Sequence, residues 1–346
     1  MLTVVTTTMS AAVLSRERVI EHRSVDRPEP GPGELLVRVS RTGICGSDLA
    51  TYAGHHPYKS APVVLGHEFS GHVVRVGAAV EGFTEGDRVC SAAFSHCGEC
   101  VDCGAGATNR CTSRLNLSHL GWEGSFAEYV LLRPNMAFRL PAAVDDELGA
   151  LVEPLSIGLH AVRLATGVAG GDVVVLGTGG IGLSCLVAAV RLGARSVTCV
   201  DIGTGKRSLA MALGAKSFVD GSAGGALSDG ADVVLVTSGH PDALAQAAAM
   251  TRPGGEVVVV SYFDRPQAVD LNPLVSQEVV VRFSALSTAA DFTEVIGWLE
   301  RGEVDPRPMV THRFPLAAAD QAMQVLAKGG PVGKVVLAVS DERSGR

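Results

Sequence analysis

The chain has 346 residues, of which 47% are hydrophobic and 19% charged, and its formal net charge is −7. This length favours two domains, and an acidic balance with no run of Lys or Arg argues against nucleic acid or an anionic membrane as the main partner. No apolar run reaches the length of a membrane span and no signal sequence starts the chain, so we expect a cytoplasmic protein that acts on a small molecule.

The first part of the chain has the pattern of a β domain. Residues 11 to about 141 contain short runs such as GELLVRVS and GSFAEYVLL, separated by turn residues. Valines and alternating polarity in these runs predict antiparallel strands that curl into a barrel-like domain.

Two short motifs of this region carry groups that bind metals. GICGSD supplies Cys45 and Ser47, GHEFSG supplies His67 and Glu68, and Glu153 follows in LVEPLSIGLH. A thiolate, an imidazole and a carboxylate that leave one coordination position open would form a catalytic zinc site. Spacing and periodicity alone do not bring these distant residues together.

Four cysteines lie in the run HCGECVDCGAGATNRC, at Cys97, Cys100, Cys103 and Cys111. In a reducing compartment such a cluster indicates a metal rather than disulfides. An iron–sulfur run would have three residues before the fourth cysteine and a proline after it, whereas Cys111 is followed by Thr112. The spacing therefore favours a closed, structural zinc site, with free surface thiols as the alternative.

After residue 142 the pattern changes. A helical stretch leads into the apolar runs DVVVLG, SVTCVD, DVVLVTSG and EVVVVSY, which alternate with helical segments rich in Ala and Leu. Buried strands that alternate with helices predict a doubly wound parallel sheet. We expect an α/β protein with domains at 1–153 and 154–290, and a return of 291–346 to the first domain.

A glycine-rich turn follows the first of these strands and opens a helix. Gly177, Gly179 and Gly182 have the G-x-G-x-x-G spacing of a dinucleotide site, in which the backbone approaches a pyrophosphate. The predicted cofactor contacts of this turn are Gly177, Gly179, Gly180, Ile181 and Gly182.

Asp201 ends the next strand, nineteen residues after the last glycine of the turn, where an acid binds the adenosine ribose. A carboxylate about 4 Å from a 2′-phosphate costs roughly 4 kcal/mol at an effective dielectric constant of 20, so we expect NAD rather than NADP. Lys206 and Arg207 either offset this repulsion or are solvated residues at a helix start.

The motifs together resemble one family, the zinc-dependent medium-chain alcohol and polyol dehydrogenases, with sorbitol and butanediol dehydrogenase-like members. The resemblance covers nearly the whole chain, through PGPGELLVRV, GICGSD, GHEFSG, GDRV, the four-cysteine run, EPLSIGLHA, GTGGIG, RPGG and GKVVL. It implies a GroES-like catalytic domain with both zinc sites, a Rossmann domain for NAD, and an active site in the cleft between them.

The resemblance also implies roles for single residues. Cys45 and His67 match catalytic zinc ligands, and Glu153 matches the glutamate that sorbitol dehydrogenase-like members use directly or through a water. Glu68 matches a neighbouring glutamate that ligates transiently. Which glutamate binds the metal in the resting state stays open.

The expected reaction removes a proton and a hydride from an alcohol. We expect the substrate oxygen to bind zinc, Ser47 to accept its proton, and the hydride to pass to the nicotinamide. Many relatives have a histidine five residues after Cys45, where this chain has Ala50. One possibility is that Ser47 passes the proton to water or to a ribose hydroxyl. Another is that His55 or His56 replaces the missing relay histidine. The alternative for these two histidines is that both are solvent-exposed loop residues.

The candidate substrate contacts are Tyr52, His56, Asn116, His119 and Trp122, although Trp122 fits a core position equally well. Their hydrogen-bonding groups favour a polyol, a sugar or an (amino)cyclitol. The alternatives are a vicinal diol such as butanediol, ketone reduction, or a zinc-bearing binding or structural protein. The apolar run EVVVRF, at Glu278 to Phe283, would be prone to aggregation if it formed an unpaired sheet edge. We therefore expect a homodimer or homotetramer.

Overall fold

The structure is a computed structural model, which describes residues 7–119, 121–223, 230–263 and 265–340. The chain divides into two compact units. The first comprises the described residues of Met1–Glu153, His312–Gly329 and Lys334–Arg346, and the second comprises those of Pro154–Thr311 and Gly330–Gly333.

Short strands dominate the chain up to the first long helix. They are β1 (Thr8–Arg16), β2 (Val19–Asp26), β3 (Leu35–Gly43), β4 (Val63–Val64), β5 (Glu68–Val76), β6 (Arg88–Ser91), β7 (Phe94–Ser95), β8 (Leu115–Asn116), β9 (Tyr129–Leu132) and β10 (Ala137–Arg139). The helices of this stretch are α1 (Gly46–Tyr52), α2 (Val101–Gly104) and α3 (Asp146–Arg163).

Strands and helices alternate in the next stretch. The strands are β11 (Asp172–Leu176), β12 (Ser196–Asp201), β13 (Ser217–Asp220), β14 (Ala231–Val236), β15 (Thr251–Val259) and β16 (Val280–Phe283). The helices are α4 (Gly180–Arg191), α5 (Arg207–Ala212), α6 (Ala243–Met250), α7 (Asn272–Ser276) and α8 (Ala289–Glu300). The chain then forms β17 (Val310–Pro315), α9 (Ala319–Lys328) and β18 (Lys334–Ala338).

Antiparallel pairing organises the first unit, where β3 pairs with β5, β9 and β18. The register places Gly43 opposite Glu68, and a Cβ at Gly43 would lie only 2.5 Å from the Glu68 carboxylate. The amide of Ile44 donates to the carbonyl of Val335 at 2.9 Å. These pairings bring the end of β3, the start of β5 and the start of β18 to one place.

The second unit contains a six-stranded parallel sheet in the order β13-β12-β11-β14-β15-β16. Its central strands are continuous apolar runs because helices cover both faces of a doubly wound sheet. The predicted order of an antiparallel β region followed by a parallel α/β region is confirmed. Three cysteines are buried among the apolar residues of the two cores, namely Cys90, Cys185 and Cys199.

The second unit extends to Thr311, whereas the sequence placed the return to the first domain at residue 291. Contacts of α8 account for this difference. Asp291 accepts from Arg163 at 3.0 Å and lies 2.9 Å from Nδ1 of His160, and the Arg191 guanidinium lies over the Trp298 ring. These bonds tie α8 to α3 and α4. Among the described residues, no helix is both long enough and apolar enough to cross a bilayer.

Candidate active site

Three potential metal ligands converge in the first unit. Cys45 caps the N-terminus of α1, His67 immediately precedes β5, and Glu68 is the first residue of β5. One ligand atom from each of these side chains lies within 4.8 Å of the other two. Sulfur, imidazole nitrogen and carboxylate oxygen are ligands that zinc accepts, so the donor set fits this ion.

Asp48 supports this group and was not singled out by the sequence. Its buried carboxylate accepts from the amide of Cys45 at 3.0 Å and from the amide of Gly66 at 3.3 Å, and it lies 3.6 Å from Nδ1 of His67. Burial would raise the pKa of Asp48, but the His67 imidazole opposes it and the net pKa is about 2. A carboxylate behind an imidazole fixes the ring of a metal-binding histidine.

Lys334 is the second residue that the sequence did not reveal. Its ammonium group donates to Oε1 of Glu68 at 2.6 Å and to the carbonyl of Ile44 at 3.4 Å. Burial would lower the pKa of Lys334, but the Glu68 carboxylate outweighs it and the net shift is upward. Glu68 therefore has a cationic partner of its own inside the core.

Glu153 lies in the interior of α3 and is buried, but its carboxylate is not part of the group formed by Cys45, His67 and Glu68. Burial raises its pKa to about 7, against the lowering effect of the His67 charge. The carboxylate of Glu68 thus lies with the ligand atoms of Cys45 and His67. The carboxylate of Glu153 lies outside this group, but the charges of His67 and Glu68 affect its pKa.

The relay candidates differ in their surroundings. Ser47 is partly buried in the first turn of α1, next to Ala50 on the same helix, and His55 is exposed. Nδ1 of His56 accepts from the amide of Lys59 at 3.1 Å. Burial and the Lys59 ammonium lower the pKa of His56 to about 4, so this imidazole is neutral at pH 7.

Three of the five candidate substrate contacts line one cavity of about 460 Å³ in the first unit. Its walls are formed by Tyr58, Thr112, Arg114, Leu115, Asn116, His119 and Trp122. Tyr52 is instead buried, with its hydroxyl 3.4 Å from the Asp320 carboxylate of α9. His56 does not line the cavity, but its ring contacts Tyr58, whose ring in turn contacts His119.

The four clustered cysteines also converge. Their sulfurs all lie within 4.8 Å of one another, with Cys97 3.5 Å from Cys111 and 3.9 Å from Cys103. Two sulfurs that each lie 2.3 Å from a tetrahedral zinc ion are about 3.8 Å apart. The spacing of these sulfurs therefore fits a structural zinc site.

The glycine turn lies between β11 and α4. Gly177 has φ +99°, and a Cβ at Gly182 would collide with the carbonyl of Gly177, so both positions require glycine. A Cβ at Gly179 would meet nothing within 4 Å, which leaves the amides of Gly180 and Ile181 at the start of α4 approachable. An open helix N-terminus of this kind accommodates a phosphate.

Asp201 ends β12 beside this turn. It accepts from the amide of Thr178 at 3.0 Å, and Nζ of Lys206 lies 3.1 Å from the same oxygen. Burial opposes ionisation, but these two partners keep the pKa of Asp201 below its ordinary value. Arg207 points elsewhere, with its guanidinium over the ring of Phe218.

Two family models match the chain. The alcohol dehydrogenase GroES-like domain matches residues 31–142, and the zinc-binding dehydrogenase model matches residues 180–301. The chain is 36% identical to the sorbitol dehydrogenase of Halalkalibacterium halodurans, over 91% of this chain and 95% of the relative. It is 33% identical to the L-threonine 3-dehydrogenase of Bacillus licheniformis, over 90% of this chain and 92% of the relative.

A solved structure agrees with these relatives. A zinc-binding dehydrogenase from Sinorhizobium meliloti 1021, bound to NADP, has a TM-score of 0.88 and 33% identity, covering 96% of this chain and all of that one. The resemblance noted from the motifs is confirmed, as is the combination of a GroES-like domain with a Rossmann-type sheet. The chain is a member of the zinc-dependent medium-chain dehydrogenase/reductase family.

Proposed function

We propose that the enzyme oxidises a secondary hydroxyl of a polyol, a sugar or an (amino)cyclitol and passes the hydride to NAD. The observation that carries this proposal is the convergence of Cys45, His67 and Glu68, with Asp48 placed behind the imidazole. The hydrogen-bonding walls of the cavity, formed in part by Asn116 and His119, support a polar substrate.

Cys45 and His67 would hold the catalytic zinc ion, together with the carboxylate of Glu68 or Glu153. When bound, zinc acts as a Lewis acid that lowers the pKa of a hydroxyl group, by up to about nine units for water. Ser47 lies two residues after Cys45 and is the proposed acceptor of the hydroxyl proton. Because Ala50 has no titratable side chain, Ser47 would pass this proton to water or to a ribose hydroxyl.

The second zinc ion would be held by Cys97, Cys100, Cys103 and Cys111. Four thiolates leave no open coordination position, so this site would hold the surrounding loop in shape rather than react. The reduced state that such ligands require supports a cytoplasmic setting.

NAD would bind along the glycine turn from Gly177 to Gly182. The ionised carboxylate of Asp201 would accept a hydrogen bond from the adenosine ribose and repel a 2′-phosphate. Lys206 weakens this repulsion, since its ammonium group lies 3.1 Å from the same carboxylate.

We also propose that two copies of the chain associate through β16. This strand ends the parallel sheet, and its side chains Val280, Val281 and Phe283 are exposed. Pairing two such edges covers both the apolar side chains and the free backbone groups.

Turnover of a substrate panel tests the proposal. Sorbitol, myo-inositol and 2,3-butanediol are each offered with NAD and with NADP, and NADH or NADPH formation is followed at 340 nm. We expect NAD-dependent turnover of a polyol or a cyclitol, and a preference for butanediol would instead assign a vicinal diol dehydrogenase. Full activity after the metal has been removed and shown to be absent would overturn the proposal.

A further inference from the structure

The described wall of the cavity of about 460 Å³ differs in charge from the chain as a whole. The protein carries 36 acidic and 29 basic residues, yet the wall residues that the structure describes include Arg114 and His119 and no Asp or Glu. The other polar groups of the wall, such as those of Asn116 and Tyr58, are neutral. The local field therefore favours a negatively charged guest.

The guanidinium of Arg114 has no acidic partner within 4 Å among the described residues. One of its nitrogens donates weakly to the carbonyls of Asn109 at 3.3 Å and Cys111 at 3.4 Å, which fixes the side chain against the four-cysteine lobe. Arg110, on the same lobe, is by contrast paired with Asp102 at 2.8 Å. The remaining donors of Arg114 have the geometry that binds carboxylate or phosphate.

A second cationic group lies in the loop next to the cavity. Lys59 follows Tyr58 and is only 8% exposed, and its charge helps to lower the pKa of the buried Asp48 carboxylate. Lys59 therefore already has a carboxylate within electrostatic reach. Arg114 is the cation of the cavity wall that remains available to an anionic ligand.

We infer that the alcohol substrate carries an anionic group, either a carboxylate or a phosphate ester, which is bound by Arg114. This inference rests on the proposed dehydrogenase function and narrows its substrate class. It makes acidic sugars and sugar-alcohol phosphates better candidates than neutral polyols. It also disfavours aminocyclitols, because their ammonium group would meet the guanidinium.

Kinetics with matched substrates test the inference. We expect sorbitol 6-phosphate or gluconate to have a kcat/KM about tenfold to a hundredfold higher than that of sorbitol, the range of a charged hydrogen bond. Arg114→Gln should remove this advantage, mainly through KM, while Arg114→Lys keeps part of it. Arg110→Gln, which removes a paired arginine from the same lobe, should leave the advantage unchanged.

A binding measurement separates this inference from the proposed function. Trp122 lines the cavity, and the chain's other tryptophan, Trp298, can be replaced by Phe. In Trp298→Phe protein, sorbitol 6-phosphate or gluconate should change Trp122 fluorescence at concentrations about tenfold or more below those that sorbitol requires. Arg114→Gln should abolish this difference. Comparison of sorbitol 6-phosphate with gluconate shows whether the cavity prefers a phosphate or a carboxylate.

Each outcome has a defined meaning. Equal affinity for sorbitol and for both anionic compounds in the fluorescence titration overturns the inference, even if the enzyme oxidises polyols. Tight anion binding that depends on Arg114, without turnover of any alcohol, supports the anion site and overturns the dehydrogenase proposal instead. Equal losses on sorbitol and its phosphate in Arg114→Gln and Arg114→Lys would assign Arg114 a purely structural role.

Discussion

The ammonium group of Lys334 lies 2.6 Å from Oε1 of Glu68, and both side chains are buried beside Cys45 and His67. Lys334 begins β18 and Glu68 begins β5, so the pair joins two strands that both neighbour β3. It places a positive charge directly behind one of the three converging ligands.

Replacing Lys334 by Met should lower the free energy of unfolding by about 3–5 kcal/mol, because the Glu68 carboxylate is left buried without its partner. Adding Glu68→Gln to this variant should recover part of the loss, since the unpaired charge is then gone. Urea denaturation of the two single variants and the double variant measures the coupling. A loss below about 1 kcal/mol in Lys334→Met would contradict a strongly coupled pair.

Metal content should separate the two proposed zinc sites. We expect two zinc ions per chain in the unmodified protein and one each in Cys45→Ser and Cys103→Ser, measured by elemental analysis. Cys45→Ser should lose turnover but still bind NAD, because Cys45 lies outside the glycine turn. Cys185→Ala, which removes a buried cysteine outside both groups, should retain two zinc ions. Retained turnover in Cys45→Ser would argue against a catalytic metal at this position.

Asp201 should control the choice of dinucleotide. In Asp201→Ala the repulsion of a 2′-phosphate disappears and Lys206 is free to attract it, so the NADP to NAD ratio of kcat/KM should rise by about tenfold to several hundredfold. Asp220 is the control, because it lies opposite Asp201 on β13 but binds the amides of Gly203 and Ser222. If Asp220→Ala shifts the ratio as much as Asp201→Ala does, the preference has another origin.

Asp146 should make stability dependent on pH. Burial raises its pKa, but His72 and Arg88, which face each other across β5 and β6, hold the pKa well below the ordinary value. Its stabilising contribution is therefore complete above about pH 5 and is lost as the pH falls below about 4 toward the folded pKa.

Asp146→Asn should cost about 1.5–3 kcal/mol at pH 7, the range for a hydrogen bond to a charged group. The difference between the two proteins should shrink as the pH falls below about 4. Urea midpoints at each pH measure it, and the comparison cancels the titration of groups that do not interact with Asp146. A difference that still grows as the pH falls below 4 would contradict the lowered pKa.

Phe283 should be required for association of two copies. Its side chain is 74% exposed on β16, so Phe283→Glu removes an apolar contact from the proposed interface without disturbing the core. We expect sedimentation velocity to show a dimer or larger assembly for the unmodified chain and a monomer for Phe283→Glu. Val190→Glu, a matched change on α4, should leave the assembly intact.

Local patterns could be predicted from the sequence. The turn at Gly177 is specified within a few residues, because a positive φ and a close helix approach both demand glycine there. Cys97 and Cys111 are only fourteen residues apart in the chain, so a metal bound by the four cysteines would close a short loop that the sequence alone reveals. The alternation of apolar strands with helices likewise predicted the parallel sheet.

Long-range partners could not be predicted in this way. Lys334 and Glu68 are 266 residues apart, and only the shared neighbour β3 brings them together. Tyr52 is a candidate substrate contact from the sequence, whereas its hydroxyl lies 3.4 Å from Asp320 of α9, a neighbour that no periodicity within α1 reveals. The cavity wall likewise brings Tyr58 next to residues 112–122, and the pattern within either stretch does not reveal this contact.

The burial of Cys90, Cys185 and Cys199 decides which cysteine thiols of this chain react with electrophiles. Burial raises the pKa of Cys185 and Cys199 to about 12, and that of Cys90 further still, so hardly any reactive thiolate forms there at neutral pH. The other five cysteines all belong to the two groups of converging ligands. Alkylation of cysteine in this fold is thus expected at sulfurs that a bound ion would protect, and the rate of thiol alkylation becomes a measure of the enzyme's metal occupancy.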